Sequence, residues 1–243
     1  MIRTKKFFSV CVDNFFEEPD KVRNYGLSLP MHDRSNSAVA GFRSKKLATI
    51  NPSFTDTITR KVLATYFDSP VEYHKVTMLF QKVPNISEEK DSYQNQGWTH
   101  HDGGTENTKI AGIVYLTPNI SLGAGTSIFK LKEGEEYYKP GEGTNSEYQD
   151  IRPVYFRGSY PPEMEKKHRA WNNKFIETAR FQNVYNRMVC YDGREFHRAN
   201  NFFNEGDPRL TLVFFISGIK CSEPPLKKLK LFDEGLTYDY RKQ

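Results

Sequence analysis

NRMVCYDGREFHRANNFFNEGDPRLTLVFFI, residues 186–216, sets two short apolar runs, NRMVCYD and RLTLVFFI, on either side of a polar segment that carries one histidine, His197. Aromatic and β-branched side chains suit a pleated, half-buried surface, and flanking Gly, Asn, Asp and Pro end such runs, so both read as strands. Three more runs of the same make lie upstream: VTMLFQKV at 76–83, KIAGIVYL at 109–116 and TSIFKL at 126–131. Five short strands divided by turns and loops predict a double-sheet jelly roll or a similar barrel.

Ahead of these runs the periodicity changes. Residues 7–12 alternate loosely, as a first strand would. In EEPDKVRNYGLSL, 17–29, Val22, Tyr25, Gly26 and Leu29 recur at helical spacing behind Pro19. Asn51 and Pro52 supply a cap and a first-turn proline for a second helix, in which Phe54, Ile58 and Val62 recur every four residues. The expected fold is therefore mainly β with flanking helices, the two N-terminal helices packing their apolar stripes on one sheet. The span of about 133–182 breaks the strand pattern with Gly, Pro, Tyr and charged residues, and it includes a predicted helix, PPEMEKKHRAWNNKFIETA, at 161–179. Long insertions in small β-folds are usually lids, binding loops or mobile surface elements, so 1–243 reads as one domain with an insertion or lid there.

A length of 243 residues suits one such domain. Its 18 Phe and 14 Tyr put the apolar mass in aromatics rather than long aliphatic runs, which favours strands over a helical bundle. The net charge of +5, from 35 basic against 30 acidic residues, is spread along the chain, so no basic footprint points to a nucleic-acid partner. The apolar stretch 7–12 is too short for a signal-peptide core, and no run reaches the length of a membrane span. Cys11, Cys190 and Cys221 are odd in number, widely spaced and form no CxxC; they read as reduced thiols and predict a cytoplasmic protein.

His100 and Asp102 stand in GWTHHDGG, 97–104. On an extended chain residues two apart face the same side, so an imidazole and a carboxylate at this spacing can grip one ion. His197 is the candidate third ligand. Two imidazoles and one carboxylate on one face of a metal leave the opposite positions open. With six histidines and 30 acidic residues, nearly one His-x-acid pair is expected by chance. What gives the pair weight is its Gly-rich setting between strands, and Arg209 at the start of a strand, twelve residues beyond His197. In RLTLVFFI, Leu210, Leu212, Phe214 and Ile216 form an apolar face, while Arg209 and Thr211 share the other with Val213 and Phe215. A guanidinium pointing into a barrel needs an anion, because an unpaired buried charge is strongly unfavourable. Its planar fork suits a carboxylate, to which Thr211 could add a hydroxyl hydrogen bond.

Taken together these motifs resemble the 2-oxoglutarate/Fe(II) oxygenases, most closely their prolyl-4-hydroxylase-like branch with its small bacterial and phage members. The similar features are the opening FFSVCVDNFFEEPDKVRNYGL, the H-x-D in WTHHDGG, GIVYLTPN followed by GAGTSIFK, and NRMVCYDGREFHRAN ahead of RLTLVFF. The resemblance runs from about residue 7 to 218 and implies a double-stranded β-helix of cupin-like form. It also implies His100, Asp102 and His197 as iron ligands and catalytic centre, with Arg209 and Thr211 holding 2-oxoglutarate. Such an enzyme uses Fe(II), 2-oxoglutarate and O2 to hydroxylate a C–H bond of a peptidyl or small-molecule substrate, releasing succinate and CO2. The intact Asp102 goes with hydroxylation, since halogenases of this family lack that carboxylate. Gln81 stands where the hydroxylases often carry a cosubstrate-contacting tyrosine, and the 133–182 span has no counterpart to align. Neither further cosubstrate contacts nor a substrate class carries over.

Plainer readings accompany each residue. A lone histidine near a strand end is more often structural than a ligand; His101, the rival to His100, faces the other way on an extended chain. Trp98, Tyr115 and Tyr191 read as core or pocket-wall aromatics, and Arg198, Asn200 and Asn201 as a polar loop beside the cleft. Lys166, Lys167 and Arg169 read as a solvated helix face, and 221–243 as a tail packing its Leu and Phe residues. Two other functions suit the same residues. One is a jelly-roll binding or structural protein without turnover; the other is a cupin-like metal enzyme without 2-oxoglutarate, in which Arg209 has no task.

Overall fold

All five apolar runs form strands in the structure, a computed structural model that describes residues 7–33, 40–102, 109–137 and 162–220. In chain order the elements are β1 (Val10–Val12), α1 (Pro19–Ser28), β2 (Met31–Asp33), β3 (Phe42–Ser44), α2 (Leu47–Ile50), α3 (Pro52–Leu63) and β4 (Lys75–Val83). There follow β5 (Lys109–Tyr115), β6 (Thr126–Leu131), α4 (Pro162–Asn172), β7 (Phe175–Phe181), β8 (Met188–Asp192), β9 (Phe196–Ala199) and β10 (Arg209–Ser217). The strands make a seven-stranded sheet, β1-β8-β5-β10-β4-β3-β2, and a three-stranded sheet, β7-β6-β9, with antiparallel pairing throughout. This is the jelly-roll architecture, mainly β with flanking helices.

Alternation along the strands divides the core into two layers. Leu210, Leu212, Phe214 and Ile216 of β10 pack with Ile110, Val114, Met78 and Phe80 against Ile58, Val62 and Leu63 of α3, so the N-terminal helices cover the outer face of the large sheet. The opposite parity, Ala111, Tyr115, Val189 and Tyr191, meets Ile128, Ala179 and Phe181 of the small sheet. The helices sit as the sequence predicts. Asn51 caps α3, its Oδ1 accepting from Phe54 N at 3.1 Å, while its own N–H closes α2 on Leu47 O at 2.7 Å. Gly26 of α1 lies against Phe80, whose ring would stand 2.5 Å from an added Cβ; the close approach explains the glycine.

One expectation needs correction. The helix predicted at 161–179 stops at Asn172, and Phe175–Phe181 is a strand of the small sheet, paired along β6. Asn173 N and Lys174 N fold back onto Arg169 O and Trp171 O at 2.9 and 3.1 Å, which closes the helix and frees an aromatic and β-branched run for the sheet. The H-x-D segment is extended but belongs to neither sheet; it meets β9 in a single bridge, His100 to His197. Within the proposed lid span, 138–161 lie outside the described residues, as does the tail from 221. Among the described residues no helix is long and apolar enough to cross a membrane.

Candidate functional site

His197 is buried at the second position of β9, paired with Ile128 of β6 on the face turned towards the large sheet. The bridge to His100 uses two backbone bonds, His100 N to His197 O at 3.0 Å and His197 N to His100 O at 2.8 Å. Two residues on, Asp102 N donates to Gly193 O in the β8–β9 turn at 2.8 Å, which fixes the carboxylate beside both rings. His197 Nε2 lies 3.1 Å from Asp102 Oδ2, and His100 Nε2 lies 3.9 Å from Asp102 Oδ1. One ligand atom from each of the three residues lies within 4.8 Å of the others, so the group can hold one metal ion.

The second contacts of the rings select the right nitrogens. His100 Nδ1 is 2.7 Å from Trp98 O, and His197 Nδ1 is 2.9 Å from Glu195 O. A ring N–H given to each carbonyl leaves Nε2 with its lone pair facing the shared centre. Burial alone would raise the Asp102 carboxyl, but His197, then His100 and Lys109, outweigh it and hold the group well below the usual carboxylate range. Burial likewise opposes charge on His197, and Asp102 overrides it, raising the imidazole.

A second cluster lies on the same inner face. Arg209 is 4% exposed, its Nε donates to Ala124 O at 3.3 Å, and its guanidinium stands 5.5 Å from the centre of the Tyr115 ring. Among the described residues no carboxylate pairs with it, and burial pulls its pKa down from the ordinary value. Two residues along β10, Thr211 is fully buried, and among the described residues its Oγ1 has no hydrogen-bond partner. Thr211 pairs with Gln81 of β4 on one side and Tyr115 of β5 on the other, so the three form one cross-strand row. Gln81 is committed elsewhere, donating to Ala40 O at 2.8 Å and accepting from Arg43 at 3.1 Å. Tyr115, on the other side of the row, donates its hydroxyl to Thr126 Oγ1 at 2.9 Å. A buried cation without an acid and an orphaned hydroxyl beside it fit a carboxylate ligand.

The other singled-out residues sort cleanly. His101 turns away from the triad and packs on Tyr137 and Phe196, with ring centres 4.9 and 5.4 Å away. Tyr191 lines the centre, its ring 4.6 Å from that of His197. Arg198 leaves β9 on the face opposite His197 and lies over Phe129 at 4.7 Å, away from the cleft. Asn201 closes its own loop by accepting from Phe203 N at 2.8 Å, and Lys166, Lys167 and Arg169 are exposed. Lys109 was missed: its Nζ donates to Asp102 O at 2.6 Å and sits over the Phe215 ring at 5.8 Å. Counting by twos from Tyr115 along KIAGIVYL puts Lys109 on the inward face, the signal that could have found it.

Residues 2–210 match the profile of a family of unknown function, DUF6445. No curated protein matches the chain. Among solved structures, HygX from Streptomyces hygroscopicus with nickel and 2-oxoglutarate bound is 14% identical, over 86% of this chain and 83% of that one, with a TM-score of 0.48. A Pseudomonas putida prolyl-4-hydroxylase is 11% identical over 86% and 92%, with a TM-score of 0.47. The α-ketoglutarate-dependent epimerase SnoN from nogalamycin biosynthesis is 16% identical over 86% and 78%, also at 0.47. The structural neighbours are thus 2-oxoglutarate/Fe(II) oxygenases, prolyl-4-hydroxylases among them, the group that the sequence resembles. By the match over residues 2–210, the chain belongs to the DUF6445 family, a family of unknown function.

Proposed function

We propose that this chain is a non-haem Fe(II)- and 2-oxoglutarate-dependent oxygenase that hydroxylates a C–H bond of a peptidyl or small-molecule substrate, with release of succinate and CO2. One observation carries the reading: a His-Asp-His group with converging ligand atoms shares its inner face with a buried arginine and a threonine hydroxyl that, among the described residues, have no acid and no hydrogen-bond partner respectively. In this reading His100 and His197, through Nε2, and Asp102, through its carboxylate, would hold Fe(II). Bound iron, 2-oxoglutarate and O2 would supply the oxidising chemistry. The chain's own residues set the geometry. Trp98 O and Glu195 O fix the two rings, and Lys109 holds the backbone of Asp102. Arg209 and Thr211 anchor the distal carboxylate of 2-oxoglutarate against the Tyr115 wall, and Asp102 completes the ligand set that goes with hydroxylation. A cupin-like enzyme without 2-oxoglutarate would leave the Arg209–Thr211 pair unexplained.

An anaerobic titration tests this. Adding Fe(II) and 2-oxoglutarate together should give a weak visible charge-transfer band, and Asp102→Ala should abolish it. Fully loaded metal with no band in the presence of 2-oxoglutarate would refute the cosubstrate assignment. Release of succinate with a panel of peptides and small molecules then identifies the substrate.

A further inference from the structure

The segment Gly97–Thr99, which delivers His100, lies outside both sheets, and α4 grips all three of its residues. Asn172, at the end of α4 and 4% exposed, accepts from Thr99 N at 3.1 Å and Thr99 Oγ1 at 2.8 Å through Oδ1. Its Nδ2 donates to Tyr93 OH at 3.1 Å and Gly97 O at 3.2 Å. Trp171 Nε1 donates to Thr99 O at 2.9 Å, and His168 Nε2 lies 3.2 Å from Gly97 O. The Trp98 ring stacks on His168 and on Trp171, with centres 4.9 and 5.4 Å apart and planes 25° and 17° from parallel. On the other side there is no slack: Gly97 N donates to Ala199 O at 2.8 Å, and an added Cβ would stand 2.5 Å from that oxygen. The segment is therefore clamped between β9 and α4. The carbonyl of Trp98, at its centre, is the one that orients the His100 ring.

From this geometry we infer that Asn172 is a positioning residue for the metal centre, holding through Thr99 and Gly97 the backbone that aims His100 Nε2. The inference rests on the metal-centre reading above, and Asn172 touches none of the metal donors itself. Changing groups that orient metal ligands weakens metal binding by about 10–100-fold. Asn172→Ala should fall in that range and alter the ligand-field spectrum of the Co(II)-loaded protein, because the donor geometry changes. Thr99→Val, which removes only the hydroxyl half of the grip, should give a smaller change of the same kind. Ile58→Ala, in the helix-covered core, lowers thermal stability but should leave both readouts at wild-type values.

The experiment measures Co(II) affinity and the visible Co(II) spectrum for the full chain and these variants, with Asp102→Ala as the ligand control. A folded Asn172→Ala protein with wild-type affinity and an unchanged spectrum overturns the inference while leaving the metal centre standing. Should Asn172→Ala fail to fold, Thr99→Val carries the test on the same criteria. Co(II) binding that is absent in the wild type, or indifferent to Asp102→Ala, overturns the metal-centre reading and this inference with it.

Discussion

Replacing Arg209 by methionine should strengthen the protein and disable it, and the two effects have separable magnitudes. Among the described residues no acid pairs with the buried Arg209 charge, and the Met side chain is of similar length and uncharged. Little is lost in exchange. Ala124 O, the acceptor of the Arg209 bond, keeps a donor in Asn183 Nδ2 at 3.1 Å, so the substitution orphans no carbonyl. Swapping buried charged groups for packed apolar ones stabilises by about 1–4 kcal/mol, and the lower half of that range is expected here, since the Tyr115 contact goes as well. Binding moves the other way. Two charge-assisted hydrogen bonds from the guanidinium fork, at about 1.5–3 kcal/mol each, amount to between roughly a hundredfold and ten-thousandfold in 2-oxoglutarate affinity. Thermal unfolding without ligands and calorimetric titration of the metal-loaded protein with 2-oxoglutarate measure the two. A variant that is less stable alone and binds 2-oxoglutarate as tightly as wild type would show Arg209 to be a structural residue and refute the assignment.

Three further outcomes follow from the geometry. Metal at about a hundred times its dissociation constant should stabilise the chain by about 2.7 kcal/mol in thermal unfolding, and His197→Ala should erase the gain; an equal gain in that variant places the metal elsewhere. His168, whose pKa burial pushes down to about 3, stays neutral in the fold while the unfolded chain binds a proton below about pH 6.5, so its contribution to stability falls as pH drops through that range. His197 acts with the opposite sign in both proteins, so the difference between wild type and His168→Phe isolates His168; it should change by about 1.4 kcal/mol per pH unit between pH 6 and 4, and parallel curves would contradict it. Gly26→Ala should destabilise by about 1–3 kcal/mol in denaturant unfolding, because the new methyl meets the Phe80 ring at 2.5 Å; an unchanged midpoint would mean that α1 shifts freely on the sheet.

What was legible in the sequence was what depends on neighbours. Period-two alternation in RLTLVFFI placed Arg209 and Thr211 on the inner face, and the structure puts the opposite parity, Leu210 to Ile216, under α3. The Asn51-Pro52 start of α3 was readable for the same reason, since capping is local. Three strands of three or four residues, β2, β3 and β9, were missed, being too short to show alternation in sequences that carry no apolar run. The predicted helix at 161–179 ran seven residues too far because its pattern was apolar at either period; β6 decides the matter by pairing with Phe175–Phe181. Asn172 carries no motif and meets Thr99 across 73 positions, so nothing in the sequence points to that contact.

The same division of labour runs through the proposed metal centre. Each imidazole is aimed by a device three residues long, its Nδ1 set against the carbonyl two positions earlier, Trp98 for His100 and Glu195 for His197. The orientation of each ring is thus a local property. The distance between the rings is a property of the fold, fixed by the two backbone bonds of the His100–His197 bridge and the Asp102 bond to Gly193. Those three bonds hold only if residues 97–102 stay flat against β9. Besides the single bridge, Gly97 N to Ala199 O at 2.8 Å ties the start of the segment to β9, and the rest of the hold comes from what presses the segment from behind. Side-chain bonds from α4 do so, and metal affinity should therefore track the integrity of a helix that contributes no ligand.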